Sequence, residues 1–78
     1  MNDHDLVRMA NQISDFFRAY PADEAKRETA NHIRNFWAPR MRLQIYAYVE
    51  KGGEGLKPLA RDAVASLAAT DTARAKAS

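Results

Sequence analysis

The chain has 78 residues, of which 46% are hydrophobic and 28% charged, and it contains no cysteine. Its length restricts it to one small domain, and the lack of cysteine excludes disulfides, thiolate metal sites and cysteine nucleophiles. The formal net charge of +2 is slight and spread along the sequence, whereas nucleic-acid binders usually concentrate basic residues on one face.

No hydrophobic segment approaches the roughly 20 residues that a membrane-spanning helix needs. The opening residues, MNDHD, are acidic, where a secretory signal peptide would be basic. We therefore expect a cytoplasmic protein that binds no membrane.

The first predicted helix carries hydrophobic residues at steps of three and four from Leu6 to Tyr20, which is the spacing of one helical face. Asn2 or Asp3 is expected to cap its start, and Pro21 to end it. A second amphipathic helix is predicted to begin at Asp23 as its cap.

Phe16, Phe17, Phe36 and Trp37 are predicted to form the shared core of these two helices. The chain is expected to break near Ala38, because a proline follows that cannot continue a helix but suits the first turn of a new one.

The segment after this break fits two patterns. Leu43, Ile45 and Val49 fall on an alternating pattern typical of a strand, while Met41, Ile45 and Tyr48 fit a helix. Since no other segment resembles a strand, a lone strand would leave its backbone unpaired, and we predict a third helix. It is hydrophobic nearly all round, so it either lies at the centre of the bundle or exposes a second face to another protein.

Gly52, Gly53 and Gly55 are expected to supply the turn into a fourth helix, which has Pro58 in its first turn. The predicted architecture is all-α, a small bundle of three to four helices in a single domain, residues 1–68. Residues 69–78 are alanine-rich and are predicted to form a flexible, disordered tail.

The sequence contains no motif typical of a metal site or a catalytic site. His4 and His32 are too far apart for a local metal motif, and no nucleophile, base and orienting group converge. We therefore expect no metal site and no independent catalytic activity. Arg34, Arg40 and Arg42 flank the only tryptophan, and they suit either a phosphate group or a protein partner.

Three segments together resemble the delta subunit of soluble, NAD-dependent, molybdenum-containing formate dehydrogenases. They are LVRMANQISDFF (Leu6 to Phe17), HIRNFWAPRMR (His32 to Arg42) and GGEGLKPLARDAV (Gly52 to Val64). The resemblance implies a non-catalytic accessory subunit of a cytoplasmic complex that oxidises formate to carbon dioxide, and it implies no catalytic residue in this chain.

The resemblance also implies the partners. The alpha subunit would carry the molybdenum bis-guanine-dinucleotide cofactor and iron–sulfur clusters, and the beta and gamma subunits would handle FMN, further clusters and NAD. This chain would bind alpha through its third helix and the Trp37 region, and would assist assembly, cofactor insertion or stability. The interface candidates are Arg8, Asn11, Gln12, Arg34, Trp37, Arg40 and Arg42.

Two other hypotheses remain at this point. In one, Arg34, Arg40 or Arg42 helps to seat the cofactor through its pyrophosphate. In the other, the second and third helices mimic a helix-turn-helix that presents Arg40, Arg42 and Gln44 to DNA. The hydrophobic third helix argues against this nucleic-acid-binding alternative.

Overall fold

Four helices make up the described part of the chain: α1 (Asp3–Phe17), α2 (Ala22–Phe36), α3 (Pro39–Glu50) and α4 (Pro58–Ala77). The computed structural model describes the backbone of residues 2–77 and the side chains of residues 2–71. No strand occurs within residues 2–77, so the all-α prediction and the choice of a third helix are confirmed.

The predicted disorder of residues 69–78 stays a prediction. Helix α4 includes the backbone of residues 69–77, but the side chains after Asp71 and the whole of Ser78 lie outside the described residues.

The helix starts follow two different patterns. At α1 the Asn2 side chain accepts a hydrogen bond from the Asp5 backbone N–H at 2.8 Å, as predicted. At α2 the prediction of Asp23 as the cap was wrong, because Pro21 holds the N-cap position and its carbonyl accepts from Ala25 N–H at 2.8 Å. The fixed backbone of the proline starts the helix earlier, and the Asp23 carboxylate lies in the first turn near the positive end of the dipole.

Helix α3 begins with Pro39 just after the predicted break at Ala38, and it ends in a Schellman motif. Gly53 N–H donates to the Tyr48 carbonyl at 3.1 Å, and Gly52 N–H donates to the Val49 carbonyl at 2.9 Å. Gly52 has φ +120° and Gly53 has φ +62°, a backbone region that side chains disfavour. The glycines therefore end α3 as predicted and turn the chain toward α4.

The hydrophobic core lies where α4 packs against the other three helices. Its fully buried members include one large side chain from each helix: Leu6, Ile33, Ile45 and Val64. Ile45 is the one residue of α3 that is buried, while Leu43 on the same helix is 67% exposed. Of the two alternatives for α3, the structure thus shows the exposed second face.

The predicted shared core of α1 and α2 is only partly correct. Trp37 is buried and Phe17 is half-buried, but Phe16 is 73% exposed and Phe36 is 74% exposed. Both exposed rings stand at the C-terminal ends of their helices, where no further helix of the described chain covers them. The prediction was therefore wrong for Phe16 and Phe36.

Candidate functional site

An open hydrophobic groove of about 480 Å³ lies between α1 and α2. We call it the aromatic groove. It is lined by Met9, Gln12, Ile13, Phe16, Phe17, His32, Phe36 and Trp37. None of these lining residues is an acid, a lysine or an arginine, so the groove suits a hydrophobic occupant.

Edge and tilted ring contacts hold the aromatic side chains of the groove. The Phe16 and Phe17 rings meet edge to face with centroids 4.9 Å apart, and Phe17 meets Tyr20 at 5.7 Å. On the α2 side, the His32 ring lies against Phe36 at 4.6 Å, and 6.4 Å from Phe17. These contacts orient the rings, since such pairs contribute about 0.5–1.5 kcal/mol beyond the area they bury.

The groove leaves large hydrophobic side chains in contact with water. Among the described residues, the large hydrophobic side chains that are exposed are Phe16, Tyr20, Phe36 and Leu43. Two of these four line the aromatic groove, and Tyr20 contacts its Phe17. A clustered patch of this kind is typical of a protein interaction site.

Sequence reasoning missed Phe16 and Phe36 as surface residues, although the sequence contained a signal. Each stands directly beside another large aromatic residue, Phe17 or Trp37. Neighbouring residues on a helix point about 100° apart, so a single core contact cannot cover both members of such a pair. This adjacency indicates that one ring of each pair lies toward the edge of the helix interface, and tertiary packing decides whether another helix covers that ring.

The seven predicted interface residues occupy three kinds of position. Arg8, Gln12 and Arg40 are exposed, and Gln12 lines the aromatic groove together with Trp37, which is 6% exposed. The other three, Asn11, Arg34 and Arg42, are half-buried. The structure therefore brings only Gln12 and Trp37 together at the groove, and the interface role of the seven stays a prediction.

Asn11 fastens the glycine turn to α1. Its Nδ2 donates to the Gly55 carbonyl at 3.0 Å, and its Oδ1 accepts from the Lys57 backbone N–H at 2.9 Å. The Lys57 ammonium also contacts the Asp15 carboxylate at 2.8 Å. Both ends of the Asn11 amide are thus used inside the chain.

Arg42 joins three helices. Its Nη1 donates to two carbonyls at the C-terminal end of α2, those of Arg34 at 3.3 Å and of the capping residue Trp37 at 2.9 Å. Its Nε lies 3.5 Å from the Asp71 carboxylate of α4. The Tyr46 hydroxyl donates to the same carboxylate at 2.5 Å. Burial, followed by this hydrogen bond, raises the pKa of Tyr46 well above its ordinary value.

These contacts bear on the DNA-binding hypothesis. Arg42 is turned toward the α2 carbonyls and Asp71, and the Gln44 side chain donates to the Asp3 carboxylate at 2.9 Å. Of the three side chains assigned to DNA, two are therefore engaged within the chain and only Arg40 is exposed. The geometry disfavours base recognition by α3.

Residues that bind metals do not cluster in the described part of the chain. No group of three or more His, Asp or Glu side chains comes together there. In the same residues, no helix has both the length and the hydrophobicity to cross a membrane.

A comparison with known protein families matches residues 5–64 to the NADH-dependent formate dehydrogenase delta subunit FdsD. The matched segment is more than half of the chain and includes α1, α2 and α3 almost completely. The chain belongs to this family. The aromatic groove of this delta-subunit family member lies within the matched segment. No curated protein and no solved structure was found to match the chain.

Proposed function

We propose that the chain is a non-catalytic accessory subunit that binds the alpha subunit of a cytoplasmic, NAD-dependent formate dehydrogenase. It assists that subunit in assembly, cofactor insertion or stability. Family membership supports the assignment to this enzyme, and the aromatic groove supports a binding role rather than catalysis.

The observation that carries the proposal is the exposure of Phe16 and Phe36, at 73% and 74%, on the two walls of one groove. Aromatic side chains in water-excluding pockets supply much of the energy of protein interfaces. A chain of this size also buries a smaller share of its surface on folding than a larger domain does, so covering this groove adds to its stability. A hydrophobic segment of the alpha subunit is the proposed occupant, because the groove lining contains no acid, lysine or arginine.

The chemistry of formate oxidation is assigned to the other chains. Iron–sulfur clusters need cysteine thiolates in most proteins, and this chain has none. We therefore assign the molybdenum bis-guanine-dinucleotide cofactor and the iron–sulfur clusters to alpha, and FMN, further clusters and NAD to beta and gamma.

Co-purification tests the assignment to the enzyme. The tagged full chain is expressed with the complete set of formate dehydrogenase subunits, and the captured proteins are identified by mass spectrometry and assayed for molybdenum. We expect the molybdenum-bearing alpha subunit in stoichiometric amount. Recovery of the chain without the alpha subunit, even after a low-stringency wash, would overturn the proposal.

A second measurement addresses cofactor insertion. If the exposed Arg40 helps to seat the anionic cofactor, Arg40→Glu should lower the molybdenum content of the assembled enzyme, because the substitution replaces attraction by repulsion. Normal molybdenum content and formate oxidation in this variant would leave Arg40 without that role.

A further inference from the structure

A second concave surface lies on another side of α2, where that helix meets α4. We call this the basic cleft; its volume is about 360 Å³. From α2 it is lined by Asp23, Lys26, Arg27, Ala30, Asn31 and Arg34, and from α4 by Ser66, Leu67 and Thr70. The buried Leu67, 5% exposed, belongs to the hydrophobic core beneath it.

Positive charge dominates the cleft. Lys26, Arg27 and Arg34 supply three cations, and Asp23 is the one carboxylate of the lining. Among the described residues, none of the ion pairs involves these three cations. Their charges are therefore available to a ligand, unlike those of Lys57 and Arg42.

The polar groups of the lining suit an oxyanion. Arg27, Asn31 and Arg34 follow one another at steps of four and three along α2, so they share one face over roughly 10 Å of helix. On α4, Ser66 and Thr70, which both carry hydroxyl groups, line the same cleft. Guanidinium forks, a side-chain amide and a hydroxyl are the donors that bind phosphate oxygens in forked, charge-assisted hydrogen bonds.

We propose that the basic cleft binds a small phosphate-class anion with more than one phosphoryl group, such as pyrophosphate. The volume lies near the lower end of the range of small-molecule sites, and the two arginines stand two helical turns apart, which suits two phosphoryl groups better than one. The cleft does not overlap the aromatic groove in its lining residues, so this proposal is independent of docking to formate dehydrogenase.

Titration of the full chain with inorganic pyrophosphate at constant ionic strength tests the proposal, with backbone amide NMR shifts as the readout. We expect saturable shifts concentrated in residues 23–34 and 66–70. Arg27→Gln/Arg34→Gln should weaken binding by about tenfold or more, because two charge-assisted contacts are lost. Glutamine retains a polar side chain at both positions, and circular dichroism checks that the variant folds.

Arg18→Gln/Arg61→Gln is the matched control, because it removes the same charge from exposed arginines outside the cleft. It should bind pyrophosphate like the unaltered chain. Equal weakening in both double variants, or shifts that rise without saturation, would overturn the proposal by indicating general electrostatic attraction. Tighter binding of a hexaglutamate peptide than of pyrophosphate would overturn it as well, and would identify an acidic protein segment as the occupant.

Discussion

At the scale of single residues, the sequence indicates which side chains are important, but it does not show which groups they contact. Asn11 and Arg42 are polar residues in the segments that carry the family resemblance, and the sequence predicts both as surface residues that contact a partner. Their contacts are instead internal, because Asn11 holds the turn at Gly55 and Arg42 holds the end of α2. The Asn11 contact joins residues 44 positions apart, and the Arg42 contact crosses the break between α2 and α3. Neither contact leaves a periodic pattern in a sequence, so both roles appear only in the folded chain.

Asn11→Ala should lower the free energy of unfolding by about 1–3 kcal/mol, because it removes two hydrogen bonds and leaves the Lys57 N–H and the Gly55 carbonyl without their partner. Urea unfolding followed by circular dichroism measures the change. Asn35→Ala, an exposed position on α2, is the matched control and should change it by less than about 0.5 kcal/mol. Equal effects at the two positions would contradict the anchoring role of Asn11.

Thr29 offers the opposite test. The residue is fully buried in α2, and its hydroxyl has no hydrogen-bond partner in the described part of the chain. Thr29→Val keeps the shape of the side chain and removes the unpaired hydroxyl, so it should raise the free energy of unfolding by about 1 kcal/mol. Thr70→Val, where the hydroxyl donates to the Ser66 carbonyl at 3.1 Å, should bring no such gain. A loss of stability in Thr29→Val would show that its hydroxyl is paired after all.

At the scale of helices, hydrophobic periodicity and the positions of the prolines were sufficient to predict the order of the four helices. The break before Pro39 and the turn at Gly52 followed from backbone chemistry that is local to those residues. The ends of hydrophobic faces were not predictable in the same way. Phe16 and Phe36 continue the pattern of their helices, but whether another helix covers them depends on tertiary packing.

The contact among Arg42, Tyr46 and Asp71 joins α2, α3 and α4, and it predicts a pH dependence. The pKa of Tyr46 is raised above its ordinary value of 10.0 in the folded chain. Its contribution to stability is therefore complete below about pH 10 and is lost as the pH rises further, since the unfolded chain releases this proton first.

Tyr46→Phe should therefore lower the free energy of unfolding at neutral pH, because the substitution removes the hydrogen bond to Asp71. Between about pH 9 and about pH 11, the variant should lose less stability than the unaltered chain does. Urea unfolding at each pH measures the difference. Tyr20→Phe, which alters a tyrosine that is 44% exposed, is the control and should follow the unaltered chain. Parallel alkaline curves for all three proteins would contradict the role of Tyr46.

At the scale of the whole molecule, the chain combines a small core with two different surfaces. Its radius of gyration of 11.6 Å is close to the value of about 11.5 Å expected for a folded chain of this length. The aromatic groove nevertheless leaves two phenylalanines largely in water. In a subunit, this arrangement is consistent with a surface that is covered only in the assembled complex.

The sequence carried the family resemblance, which the family match confirms. It did not identify the groove, because the same aromatic residues satisfy the pattern of a buried helical face. The sequence also favoured α3 and the arginines as the docking surface. The two hypotheses can be distinguished at Leu43 of α3, which is 67% exposed and does not line the aromatic groove. A substitution there should weaken docking only if α3 is the interface.

The affinity of the chain for the purified alpha subunit, measured by calorimetry, tests the central claim most directly. Phe16→Ser/Phe36→Ser should weaken binding by about a hundredfold or more, since two aromatic contacts are lost, while urea unfolding of the free chain changes little because both rings are exposed. Leu43→Ser is the matched control and should bind like the unaltered chain. Undiminished binding of the phenylalanine variant, together with weakened binding of Leu43→Ser, would contradict the aromatic groove and place the interface on α3.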